Sequence, residues 1–442
     1  MTPADTAMAG PKDLVGARAH DDYYEVATDS LPGAGLGSYS LPDDVRFVIH
    51  KGEGSRLQDV RGRWYIDYVG GAGALILGHA FPTVVDTVKD QAERGIHFFG
   101  TLNEQCIQLA EELKNIVPCA DRIAFTTTGS EATAYAMRTA RAATGRSKIL
   151  KFEGAYHGNH DYSAFSVTPT ALSNYPQGRP DTGGLPANMG ENVLVAPYND
   201  LDTVRKIVEE NRDDLAGIIV EPVQRIIFPD DRFLPGLRKI CDDNDVLLIF
   251  DEVVTGFRLA LGGAQEYFGV LPDIASYGKI VGGGGPLGFV GGKAEYVDLM
   301  NPRNKGQASY SYVNGTLHGN PVAAAAGIAT LAELKRPSFY KDLHALSDDV
   351  GKACQEVLNK NNLRAIVAGK ASFWQILFMD SEPRTHADVM NSDAASARAL
   401  DLAQMHEGLY VLPNVRRFVS AVHTGQDIED TVRALDAACK RL

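Results

Sequence analysis

The chain has 442 residues, of which 44% are hydrophobic and 22% charged, an ordinary globular composition. The formal net charge is −13 and there is no basic run, which excludes nucleic acid as the main partner. The longest apolar stretch, residues 321–331, is too short to span a bilayer, so no membrane role is expected. The N-terminus shows no apolar signal segment, and the five scattered cysteines include no CxxC pair. We therefore expect a cytoplasmic protein without a disulfide framework.

The first 84 residues are predicted to form an N-terminal unit of their own. Residues 1–45 are polar and rich in Gly and Pro, which is typical of an arm and not of a core element. Short β-like runs follow at 47–50, 56–60 and 64–69, the last two separated by a turn. The unit 1–84 is thus expected to be an arm followed by a small β segment.

Residues 85–334 are predicted to be a large α/β domain. Strand candidates lie at 122–127, 148–152, 193–196, 217–220 and 246–250, and amphipathic helices at 130–143, 201–211 and 234–243. Apolar strands that alternate with helices predict a parallel sheet covered on both faces.

Residues 335–442 are predicted to form a smaller α+β domain, joined to the large one by a helix that starts at residue 323. This part carries helical patterns at 339–358, at 394–406 and from 428 onward, with a β-like stretch at 365–379.

Two charged residues, Asp251 and Lys279, carry the strongest chemical signal. Asp251 ends the apolar run DVLLIFD, and open α/β sheets place their ligands at the carboxyl ends of strands. Lys279 follows 28 residues later, immediately before a stretch that contains four consecutive glycines. A lysine held inside a site has a lowered pKa and can form a Schiff base.

Two further segments complete a recognisable set of groups. TTTGSEAT (126–133) joins a strand to a helix through Gly129 and Ser130, and a helix N-terminus binds anions such as a phosphate ester. Tyr156 and His157 follow another strand and could stack on a flat ring. A phosphate site, an aromatic plate, a carboxylate and a reactive lysine together suit pyridoxal 5'-phosphate.

At this point the sequence resembles a known family, the class III aminotransferases, which have fold type I and depend on pyridoxal phosphate. It is most similar to their glutamate-1-semialdehyde 2,1-aminomutase branch. The stretches that carry the resemblance are YIDYVGGAGALILGHAFP (65–82), residues 122–158, VAPYNDL (195–201), IIVEPV (218–223), residues 247–284 and NGTLHGNPVAAAAG (314–327). The resemblance implies a large domain with a mostly parallel seven-stranded sheet flanked by helices, a smaller α+β C-terminal domain, and a homodimer.

The resemblance also implies roles for individual residues. Lys279 would be the Schiff-base lysine and the base of the 1,3-proton shift, and Asp251 would pair with the pyridine nitrogen. Tyr156 and Val253 would lie on the two faces of the ring, with His157 beside them.

For the periphery of the cofactor, the resemblance implies that Gly129 and Ser130 bind the phosphate and that Glu221 lies near the ring. Thr316 would reach the phosphate in the neighbouring subunit, which makes the dimer the catalytic unit.

Two other motifs point elsewhere and are not favoured. The pattern Gly283-x-Gly285-x-x-Gly288 matches a dinucleotide fingerprint but does not follow a strand. His157 and His160 have metal-like spacing but no distant partner motif, so no metal site is predicted.

The substrate positions depart from the aminomutase pattern, in which an arginine of the N-terminal arm holds the substrate carboxylate. The corresponding segment here, residues 35–42, has no arginine. Three arginines occur elsewhere instead: Arg225, Arg416 and Arg417. Each could bind a carboxylate or form a surface ion pair.

The predicted function is therefore an aminotransferase that moves an amino group between an amino acid or amine, non-α amines included, and a keto acid or aldehyde acceptor. The reaction would be ping-pong through the pyridoxamine form. The alternative is a glutamate-1-semialdehyde 2,1-aminomutase, which transfers the group within one molecule. A catalytically silent binding protein is disfavoured because Lys279 and Asp251 are both present.

Overall fold

The computed structural model describes residues 20–442, so the first 19 residues of the predicted arm lie outside the described part. The strands are β1 (Ile49–Glu53), β2 (Arg56–Asp59), β3 (Trp64–Asp67), β4 (Arg122–Thr126), β5 (Lys148–Phe152), β6 (Val193–Ala196), β7 (Leu215–Val220), β8 (Leu247–Asp251), β9 (Ile274–Tyr277), β10 (Gly288–Gly292), β11 (Ile366–Ala368), β12 (Phe373–Leu377), β13 (Leu409–Tyr410) and β14 (Arg417–Phe418). The helices are α1 (His20–Ser30), α2 (Gly70–Gly73), α3 (Pro82–Arg94), α4 (Glu104–Ile116), α5 (Gly129–Thr144), α6 (Leu201–Asn211), α7 (Phe233–Asn244), α8 (Gly263–Phe268), α9 (Ala294–Val297), α10 (Pro321–Leu334), α11 (Phe339–Lys360), α12 (His386–Met390), α13 (Ala394–His406) and α14 (Gly425–Cys439).

Seven strands form the central sheet in the order β4-β10-β9-β8-β7-β5-β6. Only β10 runs antiparallel to its two neighbours, so the mostly parallel sheet of the predicted fold class is confirmed. Strands β9 and β10 are not among the strands predicted from the sequence. β10 reads GFVGG, and glycine is depleted in strands, which hides the strand from a pattern search.

Both faces of the sheet are covered, as continuous apolar strands require. Ile219 of β7 and Ile249 of β8 pack in one cluster with Ala136 of α5. Their neighbours Ile218 and Leu248 face the opposite side, in the cluster that contains residues of α6 and α7. Alternate residues of each strand therefore anchor helices on opposite faces.

Helix α5 begins at a capping motif that can be recognised in the sequence. The Thr128 side chain accepts from the Glu131 backbone and Glu131 reaches back to it, which is a capping box. The helix ends at Gly145, whose left-handed φ of 70° suits a C-cap glycine.

The predicted N-terminal and C-terminal units share a sheet. Strand β13 pairs in parallel with β3, so that Leu409 lies opposite Ile66, in the four-stranded order β1-β2-β3-β13. Arg56 of β2 also pairs with the buried Asp427 of α14 at 2.7 Å. The predicted arm contains the helix α1, which the sequence analysis did not anticipate.

The C-terminal part adds a three-stranded sheet, β11-β12-β14, packed beside α11 and α13. This is the smaller α+β portion expected from the sequence. In the described part of the chain, no helix combines the length and apolar character needed to cross a membrane.

Candidate active site

A cleft opens at the carboxyl edge of the central sheet, where parallel α/β sheets bind their ligands. Its walls come from the segments that follow five strands. Ser130 follows β4, Tyr156 follows β5, Glu221 follows β7, Asp251 ends β8 and Lys279 follows β9. The fold thus brings together residues that are up to 149 positions apart in the chain.

Asp251 is held rigidly at the floor of this cleft. Its Oδ2 lies 2.8 Å from Nδ1 of His157, and both side chains are buried. Its Oδ1 accepts a hydrogen bond of 3.1 Å from the backbone N–H of Val253. These two contacts fix the orientation of the Asp251 carboxylate, although His157 lies 94 residues away in the sequence.

Lys279 begins a tight turn after β9 and has a left-handed backbone with φ of 56°. Within residues 20–442 its Nζ has no hydrogen-bond partner. Burial, with the positive charge of Arg416 as the next cause, lowers the pKa of Lys279 to about 8. The neutral, nucleophilic amine is therefore much more populated near neutral pH than in an ordinary lysine.

The start of α5 presents backbone N–H groups at the cleft wall. The first N–H groups of a helix have no intrahelical acceptor, and Thr128 satisfies only that of Glu131. Those of Gly129 and Ser130 remain for a ligand. A Cβ at position 129 would lie only 2.8 Å from the Val253 side chain, so glycine is required there.

Tyr156 and Val253 also line the cleft, and the Tyr156 side chain is 43% exposed to it. The backbone N–H of Tyr156 donates to Oε2 of Glu221 at 3.0 Å. This bond ties the aromatic residue after β5 to the carboxylate after β7.

Two of the three predicted substrate arginines reach the cleft. Arg225 donates from Nε to the Gly154 carbonyl at 3.1 Å, and its guanidinium lies 5.3 Å from the centre of the Tyr156 ring. Arg416 lies 3.8 Å from Glu221 and donates to the backbone carbonyl of Arg225. Of the two guanidinium groups, that of Arg416 lies within ion-pair distance of Glu221.

Arg417 is not part of this group, which corrects the expectation that it contacts substrate. Its guanidinium is buried in an ion pair with Asp401, donates to Gln404 at 3.1 Å and lies 4.4 Å from the centre of the Trp374 ring. Arg417 is the first residue of β14, and side chains of consecutive residues in an extended chain point to opposite sides. Arg416 therefore faces the cleft and Arg417 the core.

Thr316 is exposed and does not line the cleft of its own chain, so its predicted role in a neighbouring subunit stays a prediction.

Tyr39 lines the cleft, although it is not among the site residues predicted from the sequence. The signal was available, because Tyr39 lies in the arm segment 35–42 that corresponds to the carboxylate-binding position of the aminomutases.

Three of the twelve non-glycine residues with a left-handed backbone among residues 20–442 line the cleft. Ala72, Arg225 and Lys279 all line it and have left-handed φ values of 56° to 57°. Each such non-glycine residue costs roughly 1 kcal/mol or more and is retained mainly where a site demands it.

Comparison with known proteins agrees with this geometry. The family model for "Aminotransferase class-III" matches residues 39–435. A glutamate-1-semialdehyde 2,1-aminomutase of Methanococcus maripaludis is 41% identical over 401 residues, which cover 90% of this chain and 92% of the relative. An omega-transaminase from Sphaerobacter thermophilus superposes with a TM-score of 0.89 at 32% identity and covers 98% of this chain and 99% of its own. A beta-phenylalanine aminotransferase from Variovorax paradoxus has a TM-score of 0.82 at 28% identity, covering 94% of this chain and 92% of its own.

The chain belongs to the class III aminotransferases, a family of pyridoxal-phosphate-dependent enzymes with fold type I. These comparisons confirm the family, the fold class, the enzyme class and the cofactor that were predicted from the sequence.

Proposed function

We propose that this chain transfers an amino group between a carboxylate-bearing amine and a carbonyl acceptor, with pyridoxal phosphate held by the residues of the cleft. The free N–H groups of Gly129 and Ser130 suit the phosphate, and Tyr156 and Val253 suit the two faces of the ring. When bound, pyridoxal phosphate accepts the electron pair released as a proton leaves the amine-bearing carbon.

The protein groups that act beside the cofactor are Lys279 and Asp251. Nζ of Lys279, with its pKa lowered to about 8, accepts and returns the proton of the substrate carbon. Asp251 would stabilise a proton on the pyridine nitrogen of the bound cofactor. His157 holds the carboxylate in place through the bond of 2.8 Å.

The observation that carries the proposal for the substrate is Arg416. Its side chain is only 10% exposed, it lines the cleft, and its nearest carboxylate, Glu221, is 3.8 Å away. A substrate carboxylate can approach this guanidinium and the neighbouring Arg225, and charge-assisted hydrogen bonds to arginine are strong and directional. The arm residue that reaches the cleft is the neutral Tyr39.

Transfer between two molecules is the reaction that this arrangement favours, because Arg416 and Tyr39 depart from the aminomutase pattern. The second candidate is the intramolecular reaction of a glutamate-1-semialdehyde 2,1-aminomutase. The comparisons favour it, since relatives 38% to 41% identical to this chain carry that name.

One experiment separates the two candidates. Holoenzyme is incubated with single amines in the absence of an acceptor, while the cofactor absorbance and the released carbonyl product are followed. Stoichiometric release of product with conversion of the cofactor to the pyridoxamine form supports intermolecular transfer. Catalytic conversion of glutamate-1-semialdehyde to 5-aminolevulinate without any acceptor overturns it in favour of the aminomutase.

We also propose that the active unit is a homodimer to which Thr316 contributes across the interface. Large apolar side chains are exposed between α3 and α4, at Ile96, Phe98, Phe99 and Leu102. Leu317, next to Thr316, is exposed as well. Exposed large apolar side chains are typical of a subunit interface.

The predicted cytoplasmic location stays a prediction. It is supported by the five cysteines, all of which are buried thiols without a disulfide partner.

A further inference from the structure

Arg258 lies seven residues after Asp251 in the chain, close to the cleft. It has no role in the mechanism proposed above. Its side chain is wholly buried, and no carboxylate of residues 20–442 lies within ion-pair distance of it. Buried arginines are normally paired, because an uncompensated charge is expensive to remove from water.

The hydrogen bonds of Arg258 join separate parts of the cleft wall. Nη1 donates to Oγ of Ser372 at 3.0 Å, and Nη2 donates to the carbonyl of Gly73. Gly73 ends the left-handed turn α2, whose Ala72 lines the cleft. That turn packs directly on Phe418, since a Cβ at position 73 would lie 2.8 Å from the Phe418 ring.

Arg258 also shares two aromatic rings with the proposed carboxylate-binding residue. Its guanidinium carbon lies 4.9 Å from the centre of the Phe418 ring and 5.9 Å from that of Phe373. The guanidinium carbon of Arg416 lies 5.7 Å from the centre of each of these rings. Phe418 lines the cleft, so both arginines lie beside an aromatic ring of the cleft wall.

The charges in this region do not balance. Burial lowers the pKa of Arg258 to about 9, with the charge of Arg416 as the next cause. A buried, unpaired cation acts across a low-dielectric region with little screening. No carboxylate among residues 20–442 lies close enough to pair with the positive charge of Arg258.

Resting on the function proposed above, we propose that Arg258 is a positioning and specificity-determining residue. It fixes Phe418 and the turn α2 as the support of Arg416, and its unpaired charge increases the preference of the cleft for amines that carry a carboxylate over neutral amines.

The experiment measures kcat/KM of holoenzyme for a carboxylate-bearing amine and for a neutral amine of similar size, and uses their ratio as the readout. Arg258→Gln removes the charge but keeps an amide donor for the Gly73 carbonyl, and Arg258→Met removes both. We expect each to lower the ratio about tenfold, the order of magnitude for one unpaired charge at an effective dielectric of about 20. Arg258→Lys retains the charge and is expected to retain most of the ratio.

Arg417→Lys is the matched control, since Arg417 is equally buried but neutralised by Asp401. We expect it to lower stability without changing the ratio. The proposal is overturned when Arg258→Gln leaves the ratio of the wild type, or when Arg417→Lys lowers it equally. A wild-type enzyme that shows no preference for carboxylate-bearing amines contradicts the proposed substrate site itself, which is a distinguishable result.

Discussion

The two halves of the cleft are built in different ways. The half that suits the cofactor takes Ser130, Asp251 and Lys279 from segments directly after strands of one sheet, so that their positions follow from the sheet itself. The half that suits the substrate takes Arg225 from a loop of the large domain and Arg416 from the C-terminal part. The first half is defined by local sequence, whereas the second depends on how distant segments pack together.

The largest effect is expected in the cofactor half, from Lys279→Ala. Removal of the only proposed proton-transferring amine should reduce kcat by about 10⁴-fold or more, the upper range for general acid–base catalysis. The measurement is a single-turnover assay with the holoenzyme, together with borohydride labelling and mass spectrometry of the labelled peptide. Lys151→Met is the control, because Lys151 is also buried but its Nζ donates to three backbone carbonyls outside the cleft wall. Label on another lysine would contradict the assignment.

The next effect is expected from Asp251→Asn, which keeps the shape but removes the charge that stabilises a proton on the pyridine nitrogen. We expect kcat to fall by about 10²–10³-fold, as for loss of one pre-organised electrostatic group. His157→Phe, which leaves Asp251 without its partner at 2.8 Å, should give a smaller loss in the same direction. Equal losses for Asp251→Asn and for a substitution outside the cleft would show that the effect is one of folding.

In the substrate half, Arg416→Met should mainly raise KM. Loss of a charge-assisted hydrogen bond corresponds to about 10- to 100-fold in kcat/KM for a carboxylate-bearing amine. For a neutral amine, little change is expected, and this contrast is the informative result. Steady-state kinetics with both amines gives the comparison. A similar loss for both would mean that Arg416 supports the cleft without binding the carboxylate.

The two halves are coupled through charge, which gives a prediction on pH. Cofactor uptake by the apoprotein needs the neutral Lys279 amine, so its rate should rise with pH around a midpoint near 8 and level off above it. Arg416 lowers the pKa of Lys279, so Arg416→Met should move the midpoint upward by up to about one pH unit. Stopped-flow absorbance of cofactor binding at a series of pH values measures it. A midpoint that moves down would reverse the sign of the proposed interaction.

The residues that the sequence suggested for the cofactor line one cleft, and the signals that point to them are local. An apolar run that ends in Asp251 and a capped helix start at Gly129 are visible without knowledge of the fold. The bond between His157 and Asp251 could not be predicted, since it joins residues 94 positions apart. Arg416 faces the cleft and Arg417 faces the core. This difference depends on which side of the short strand β14 packs on the core, and the sequence pattern does not specify it.

The smallest effect is expected at Tyr39, and it tests why the substrate half differs from the aminomutase pattern. Tyr39 lines the cleft, and its hydroxyl has no hydrogen-bond partner among the described residues, so Tyr39→Phe should change kcat/KM by less than about threefold. Tyr39→Arg, in contrast, places a third guanidinium beside Arg225 and Arg416. We expect it to lower KM for carboxylate-bearing substrates, measured against the same neutral amine. If Tyr39→Arg also produces turnover of glutamate-1-semialdehyde that the wild type lacks, the arm position alone separates the two reactions. If the wild type already turns it over, the neutral residue at position 39 does not determine which of the two reactions occurs.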